Sequence, residues 1–177
     1  MAISKKICLV GDFSVGKTSL IRRFVDDQFS DEYLSTVGVK LSRKLVEVDA
    51  TADNAARQVE LLIWDIEGQT QFKAIAPSYL QGAKGAIIVA DVKRDDTLVH
   101  LQNHVDLFVK INPKGTIIIA LNKADLVTPT LLATLLDKYA LQRHNPRVID
   151  TYATSAKTGQ AVNVIFKQLA TAILADP

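Results

Sequence analysis

The sequence predicts an α/β fold, a mostly parallel sheet with helices on both faces, formed as one domain. Three observations lead there. Apolar runs of strand length recur along the chain, segments with helical periodicity alternate with them, and one stretch joins two strand-like segments with no helix between. Continuous apolar runs rich in β-branched residues suit parallel strands buried on both faces. Alternation of such strands with helices is the pattern of an open α/β sheet.

The strand candidates are ICLV (7–10), VELLIW (59–64), GAIIVA (85–90), GTIIIAL (115–121) and VIDTYAT (148–154). Helical segments are expected over 18–27, 96–111 and 128–142. A last helix places Val162, Ile165, Phe166, Leu169 and Ile173 on one face, at spacings of 3, 1, 3 and 4. The stretch VKLSRKLVEVDATADNAARQVELLIWD differs: two strand-like segments flank ATADNAAR, which reads as an antiparallel hairpin.

The 177 residues suffice for one domain with a sizeable core. A net charge of +2 gives no support for nucleic-acid binding through the overall field. The single cysteine, Cys8, lies in an apolar run, which excludes a disulfide framework and fits a reducing compartment. The longest apolar runs are too short to span a bilayer, and no cysteine stands near the C-terminus to carry a prenyl anchor. A cytoplasmic protein without a membrane anchor is the expectation.

Directly after the first strand comes GDFSVGKT (11–18), followed by a helical pattern. This is the phosphate-binding G-x-x-x-x-G-K-[ST] loop in its required setting of strand, loop and helix. Its backbone N–H groups (Asp12, Phe13, Ser14, Val15, Gly16, then Lys17, Thr18 and Ser19) are candidates to cradle phosphate oxygens. Lys17 supplies a point charge for the β- and γ-phosphates, and the Thr18 hydroxyl is a candidate Mg²⁺ ligand.

The base is expected to be guanine. After GTIIIAL comes Asn122-Lys123-Ala124-Asp125, at the carboxyl end of a strand, where ligands bind in such sheets. The Asp125 carboxylate can accept two hydrogen bonds, from guanine N1–H and its exocyclic amine. Adenine would leave that carboxylate unpaired, and sites built this way discriminate by about 10⁴ or more. Asn122 ties loops together, and the Lys123 stem lies along the base plane. Ser155-Ala156-Lys157 follows another strand and offers the Ala156 N–H to guanine O6.

GDFSVGKT, STVG (35–38), WDIEGQ (64–69), NKAD (122–125) and SAK (155–157), in this order over nearly the whole chain, resemble the Ras superfamily of small GTPases, nearest its Rab branch. The resemblance implies a P-loop NTPase of the Ras-like G-domain type, with a six-stranded sheet, one strand antiparallel, and five helices. It implies a switch that binds GTP or GDP with Mg²⁺ and answers to an exchange factor, an activating protein and effectors. By position, Thr36 and Asp65 join Thr18 on the metal side. Gly68 offers its N–H to the γ-phosphate, Gln69 orients the attacking water, Phe29 packs against the base, and Leu126 completes the base loop. Gln69, Lys17 and Gly68 are thus the expected catalytic set. The principal alternative is a module that stays GTP-bound and recruits partners without hydrolysis. A P-loop kinase is disfavoured because NKAD and SAK have no role in one.

Three residues depart from the family pattern. Most relatives have Ala where this chain has Glu67, and a small residue where it has Phe13; Ile66 replaces a usual Thr. On the family fold Glu67 and Phe13 flank the γ-phosphate. An inward carboxylate there would face phosphate oxygens, which is costly in a dry site. The expectation is slow intrinsic hydrolysis, with Phe13 obstructing an arginine donated by a partner. The alternatives are that Glu67 orients the water, or that it faces solvent and matters little. Thr36 and Asp65 are 29 residues apart, more than is usual in the family, and ATADNAAR is the expected insertion. His100 and His104 have the spacing of a zinc pair on a helix, but no third ligand is evident, so a solvated helix face is expected.

Overall fold

The structure is a computed structural model that describes residues 3–32, 35–49, 57–68 and 76–175. Strands β1 (Ile3–Gly11), β2 (Val39–Val48), β3 (Arg57–Ile66), β4 (Gly85–Asp91), β5 (Thr116–Asn122) and β6 (Val148–Ala153) form one sheet in the order β2-β3-β1-β4-β5-β6. All neighbours run parallel except β2 against β3, so the hairpin and the six-stranded sheet are both present. The tip of that hairpin, residues 50–56, lies outside the described residues.

Two cores cover the two faces, and the strand period explains how one sequence serves both. Successive side chains of a strand point to opposite faces. On β1, Ile7 and Leu9 join one core, while Cys8 and Val10 join the other. The first core is closed by α1 (Lys17–Asp26) and by the last helix, α6 (Val162–Ala175). All five residues expected on the inner face of α6 are buried. Phe24 of α1 stacks flat on Phe166 of α6, with ring centroids 4.0 Å apart.

The second core lies under α2 (Ala76–Leu80), α3 (Asp95–Val99), α4 (Leu101–Ile111) and α5 (Pro129–Lys138). The helix expected over 96–111 is thus interrupted at His100, whose carbonyl still accepts from the N–H of His104. Helix α5 begins as its sequence suggests: Thr128 caps it by accepting from the Leu131 N–H at 3.2 Å, and Pro129 takes the first position.

This topology creates a crevice beyond the carboxyl end of β1, where the chain order turns outward to β3 on one side and β4 on the other. Crevices at such reversal points are where open α/β sheets bind ligands.

Candidate functional site: a phosphate loop, a carboxylate and two hydroxyls

The GDFSVGKT loop leaves β1 and enters α1 with Ser14 (φ 63°) and Gly16 (φ 100°) left-handed. Gly16 tolerates this because it has no Cβ; one placed there would also lie 2.3 Å from Asn122 Nδ2. The loop is held from behind. Asn122 Nδ2 donates to the Val15 carbonyl at 3.0 Å, and Lys123 Nζ donates to the Ser14 carbonyl at 3.0 Å while pairing with Asp91 at 2.7 Å.

Lys17 is buried, and its ammonium folds back to donate to the Gly11 and Asp12 carbonyls, each at 2.8 Å. Burial pulls its pKa down to about 8, against the charges of Asp65, Asp12 and Glu67, which favour protonation. Beside it, Thr18 Oγ1 donates to Asp65 Oδ2 at 2.5 Å and stands 2.7 Å from Thr36 Oγ1. Thr36 itself lies 3.4 Å from the same carboxylate oxygen. Asp65 is almost fully buried, and its other oxygen, Oδ1, has no hydrogen-bond partner among the described residues. Desolvation raises the Asp65 pKa, in spite of hydrogen bonds from Thr18 and Thr36 and the charges of Lys17 and Lys40.

A buried, half-satisfied carboxylate costs free energy unless a cation or donor completes it. One carboxylate and two hydroxyls are hard oxygen donors of the kind Mg²⁺ takes, usually few from protein and the rest from water and phosphate. The residues therefore fit that ion.

The cleft in front of the loop is lined by Phe13, Ser14, Gly16, Lys17, Thr18 and Ser19, with Phe29, Thr36, Gly68 and Lys123 around its rim. Phe13 is 37% exposed there. Gly68 packs so closely on the loop that a Cβ would lie 2.5 Å from the Asp12 carbonyl carbon and 2.6 Å from the Phe13 nitrogen. Arg22, Gln28, Ser30 and Glu32 also line the cleft. Arg22, Gln28 and Ser30 were not singled out from sequence, because nothing in their spacing distinguishes them from an ordinary helix end and surface loop.

Apart from Lys123, the base-loop residues stand beside one another rather than within that lining. Asp125, exposed, accepts from Ser155 Oγ at 2.6 Å, and Ser155, fully buried, also accepts from the Thr158 N–H at 3.1 Å. Thr154 Oγ1 donates to Asn122 Oδ1 at 3.2 Å, which joins the NKAD and SAK loops. Arg23 reaches across from α1 to the carbonyls of Ala156 and Lys157, at 2.8 and 2.6 Å. Leu126 is 52% exposed. Gln69 lies outside the described residues.

Two expectations need correction. Glu67 does not face solvent: it is 8% exposed, and its Oε2 accepts from the Gly38 N–H at 2.6 Å. Nor are His100 and His104 merely a solvated face. His100 Nδ1 and His104 Nε2 sit 2.6 and 2.8 Å from the two carboxylate oxygens of Asp12, so the Asp12 side chain turns toward α4. Arg94 adds a bond from Nη1 to the Phe13 carbonyl at 2.6 Å. Among the described residues no group of three acidic, histidine or cysteine side chains is arranged to hold a metal ion.

Similarity to known proteins agrees with this geometry. The sequence matches the Ras family over residues 6–175. It is 34% identical to Ras-related protein Rab-13 of Mesocricetus auratus, across 96% of this chain and 79% of that one. It is 33% identical to Rab-18-B of Danio rerio (97% and 80%) and 34% to Rab-1C of Dictyostelium discoideum (95% and 80%). With the GDFSVGKT loop, the Thr18, Thr36 and Asp65 oxygens and the NKAD and SAK loops gathered around a six-stranded sheet, the chain belongs to the Ras family of small GTPases, and its relatives place it on the Rab side of that family.

Proposed function

We propose that this protein is a guanine-nucleotide switch that binds GTP and GDP with Mg²⁺ and hydrolyses GTP slowly without a partner. The observation that carries the reading is Asp65 Oδ1, without a partner among the described residues and set beside Thr18 and Thr36 at the mouth of a phosphate loop. These three residues would hold the ion. When bound, Mg²⁺ supplies neutralising charge for the phosphate oxygens.

The other parts belong to the chain itself. Lys17 is pre-placed against the loop carbonyls, and an anionic phosphate beside it would hold its ammonium fully charged. The loop N–H groups and Gly68 position the terminal phosphate, and Gln69 orients the attacking water. Asp125 reads the guanine N1–H and amine, its carboxylate oriented by Ser155. The reaction needs positioning and charge stabilisation, with no covalent group from the protein.

Slow hydrolysis follows from Phe13. Phe13 lines the cleft, its backbone packs closely on Gly68, and on this reading its ring obstructs the approach of a glutamine amide or a partner's arginine. Residues Val37, Leu41 and Leu45 on and before β2 are 76%, 61% and 50% exposed, a surface that supports effector binding. An exchange factor and an activating protein complete the cycle, and no nucleic acid enters it. A cytoplasmic location is part of the same proposal; among the described residues no helix is long and apolar enough to cross a membrane.

The test is single-turnover hydrolysis of preloaded GTP, with Phe13→Gly run beside the natural chain. A slow but measurable rate that rises at least about tenfold in the variant supports the reading, since an oriented water is worth a kcal/mol or more of barrier. Equal rates remove Phe13 from the account. No turnover in either chain favours a GTP-bound interaction module, and equal competition by ATP removes the guanine assignment.

A further inference from the structure

Strands β2 and β3 pair up to Val39 opposite Ile66. The next residues, Gly38 and Glu67, stand in the STVG and WDIEGQ segments, which the family resemblance makes the first and second nucleotide-sensing switches, yet the pairing continues. The Glu67 N–H donates to the Gly38 carbonyl at 2.9 Å. The Gly38 N–H does not return this bond to backbone; it donates to the Glu67 carboxylate at 2.6 Å. The side chain thus closes the ring that the backbone would otherwise close, and it does so while 8% exposed. Hydrogen bonds to a carboxylate are roughly twice as strong as neutral ones, and burial strengthens them further.

Gly38 lies two residues beyond Thr36, whose hydroxyl stands at the metal side of the cleft, 2.7 Å from Thr18 Oγ1. A segment fixed at Gly38 has little chain left with which to carry Thr36 away. We propose that Glu67 is a positioning residue: it pins the first switch at Gly38 and keeps Thr36 at the metal side whichever guanine nucleotide is bound. The inference rests on the nucleotide-switch reading above. In a switch without such a pin, contacts to the terminal phosphate alone order this segment. Here part of that ordering is supplied by the protein, so the difference between the two nucleotide states at residues 36–38 is small.

The test reads the amide hydrogen exchange of Gly38 by ¹H–¹⁵N NMR in the full chain. The chain is loaded with GDP and Mg²⁺ or with a non-hydrolysable GTP analogue. In the natural chain the two forms should exchange within about threefold of each other, because the bond is present in both. In Glu67→Ala the GDP form should exchange roughly tenfold faster or more, while the analogue form changes less. Glu67→Gln, whose amide oxygen still accepts, should fall nearer the natural chain than the alanine variant does. The Ile118 amide, central in β5, should not change, which separates loss of the pin from general loosening.

Exchange of Gly38 in GDP-loaded Glu67→Ala at the natural rate would overturn the proposal. So would a natural chain in which Gly38 is protected only by the GTP analogue, or a glutamine variant as fast as alanine. If the alanine variant does not fold, the two-nucleotide comparison and the glutamine variant still decide. Absence of retained guanine nucleotide would sink the switch reading instead, and Gly38 in the empty chain would then report on the Glu67 bond alone.

Discussion

At the base end of the cleft, Asn122, Lys123, Asp125 and Ser155 follow directly from two adjacent strands and are tied to each other and to the phosphate loop by side-chain bonds. At the phosphate end, Phe13, Thr36, Glu67 and Gly68 stand on loops, and their relations are set by contacts from elsewhere: α4 on Asp12, Arg94 on Phe13, Gly38 on Glu67. The first end is a rigid frame whose members cannot shift singly. The second is an assembly of segments whose positions are held by a few replaceable bonds. On the proposed reading, recognition of the base belongs to the frame, and timing of the switch belongs to the assembly.

Substitutions can break or sharpen that contrast. The largest effect is expected from Asp125→Ala, which removes both acceptors for guanine. GDP affinity should fall about 10³-fold, as two charge-assisted hydrogen bonds are worth roughly 3–6 kcal/mol. Titration with a fluorescent GDP derivative measures it. A loss under tenfold would mean that the base end is not the recognition frame described. Asn122→Ala comes next. It strands the buried Val15 carbonyl and Thr154 hydroxyl, which costs about 2 kcal/mol of stability. Chemical denaturation of the nucleotide-free chain reads this directly.

The phosphate-end counterpart is a pH effect. Burial lowers the His104 pKa, beyond what its bond to Asp12 and the Asp12 charge restore; Lys17 and His100 lower it further. A base depressed in the fold binds its proton more readily when unfolded, so it favours the native state above its unfolded value of 6.5. That stability is lost as pH falls from 6.5 through the depressed value. The Asp12 carboxyl adds a further loss, at lower pH only. Burial raises its pKa, but the hydrogen bonds and charges of His100 and His104 outweigh burial and lower it, so its contribution persists above 3.8 and is lost as pH falls further. Melting temperature should therefore drop as pH falls below 6.5, and the drop should shrink in His104→Gln. An undiminished drop would place the sensitive group elsewhere. The smallest effect is expected at Leu126: half exposed, its change to Ala should alter stability by less than about 0.5 kcal/mol.

The same contrast explains what the sequence made legible. Strand runs such as IIIAL and the α6 stripe are dictated by burial, and the motifs at the base end hang directly from those strands, so both could be read without coordinates. Helix α2 was missed because APSYL is one short turn of helix with no amphipathic period to mark it. The pairing of Asp12 with His100 and His104 spans 88 and 92 residues, and only the fold brings a phosphate loop against α4. Glu67 was conspicuous as a departure, but its partner depends on the hairpin register: Gly38 faces Glu67 only because Val39 faces Ile66. A sequence shows which residue is unusual more readily than it shows what that residue touches.

The flat stack of Phe24 on Phe166 bears on how the protein comes into being. Lys17 and Thr18 open the helix that carries Phe24, and the ring Phe24 needs is supplied 142 residues later by α6. Ser155, which orients Asp125, also comes late. During synthesis, at about 5–20 residues per second, the phosphate loop leaves the ribosome many seconds before the side chains that complete its surroundings. The nascent chain thus carries its phosphate loop without a finished pocket, and on the proposed reading nucleotide capture becomes a closing event of biogenesis rather than a seed for folding.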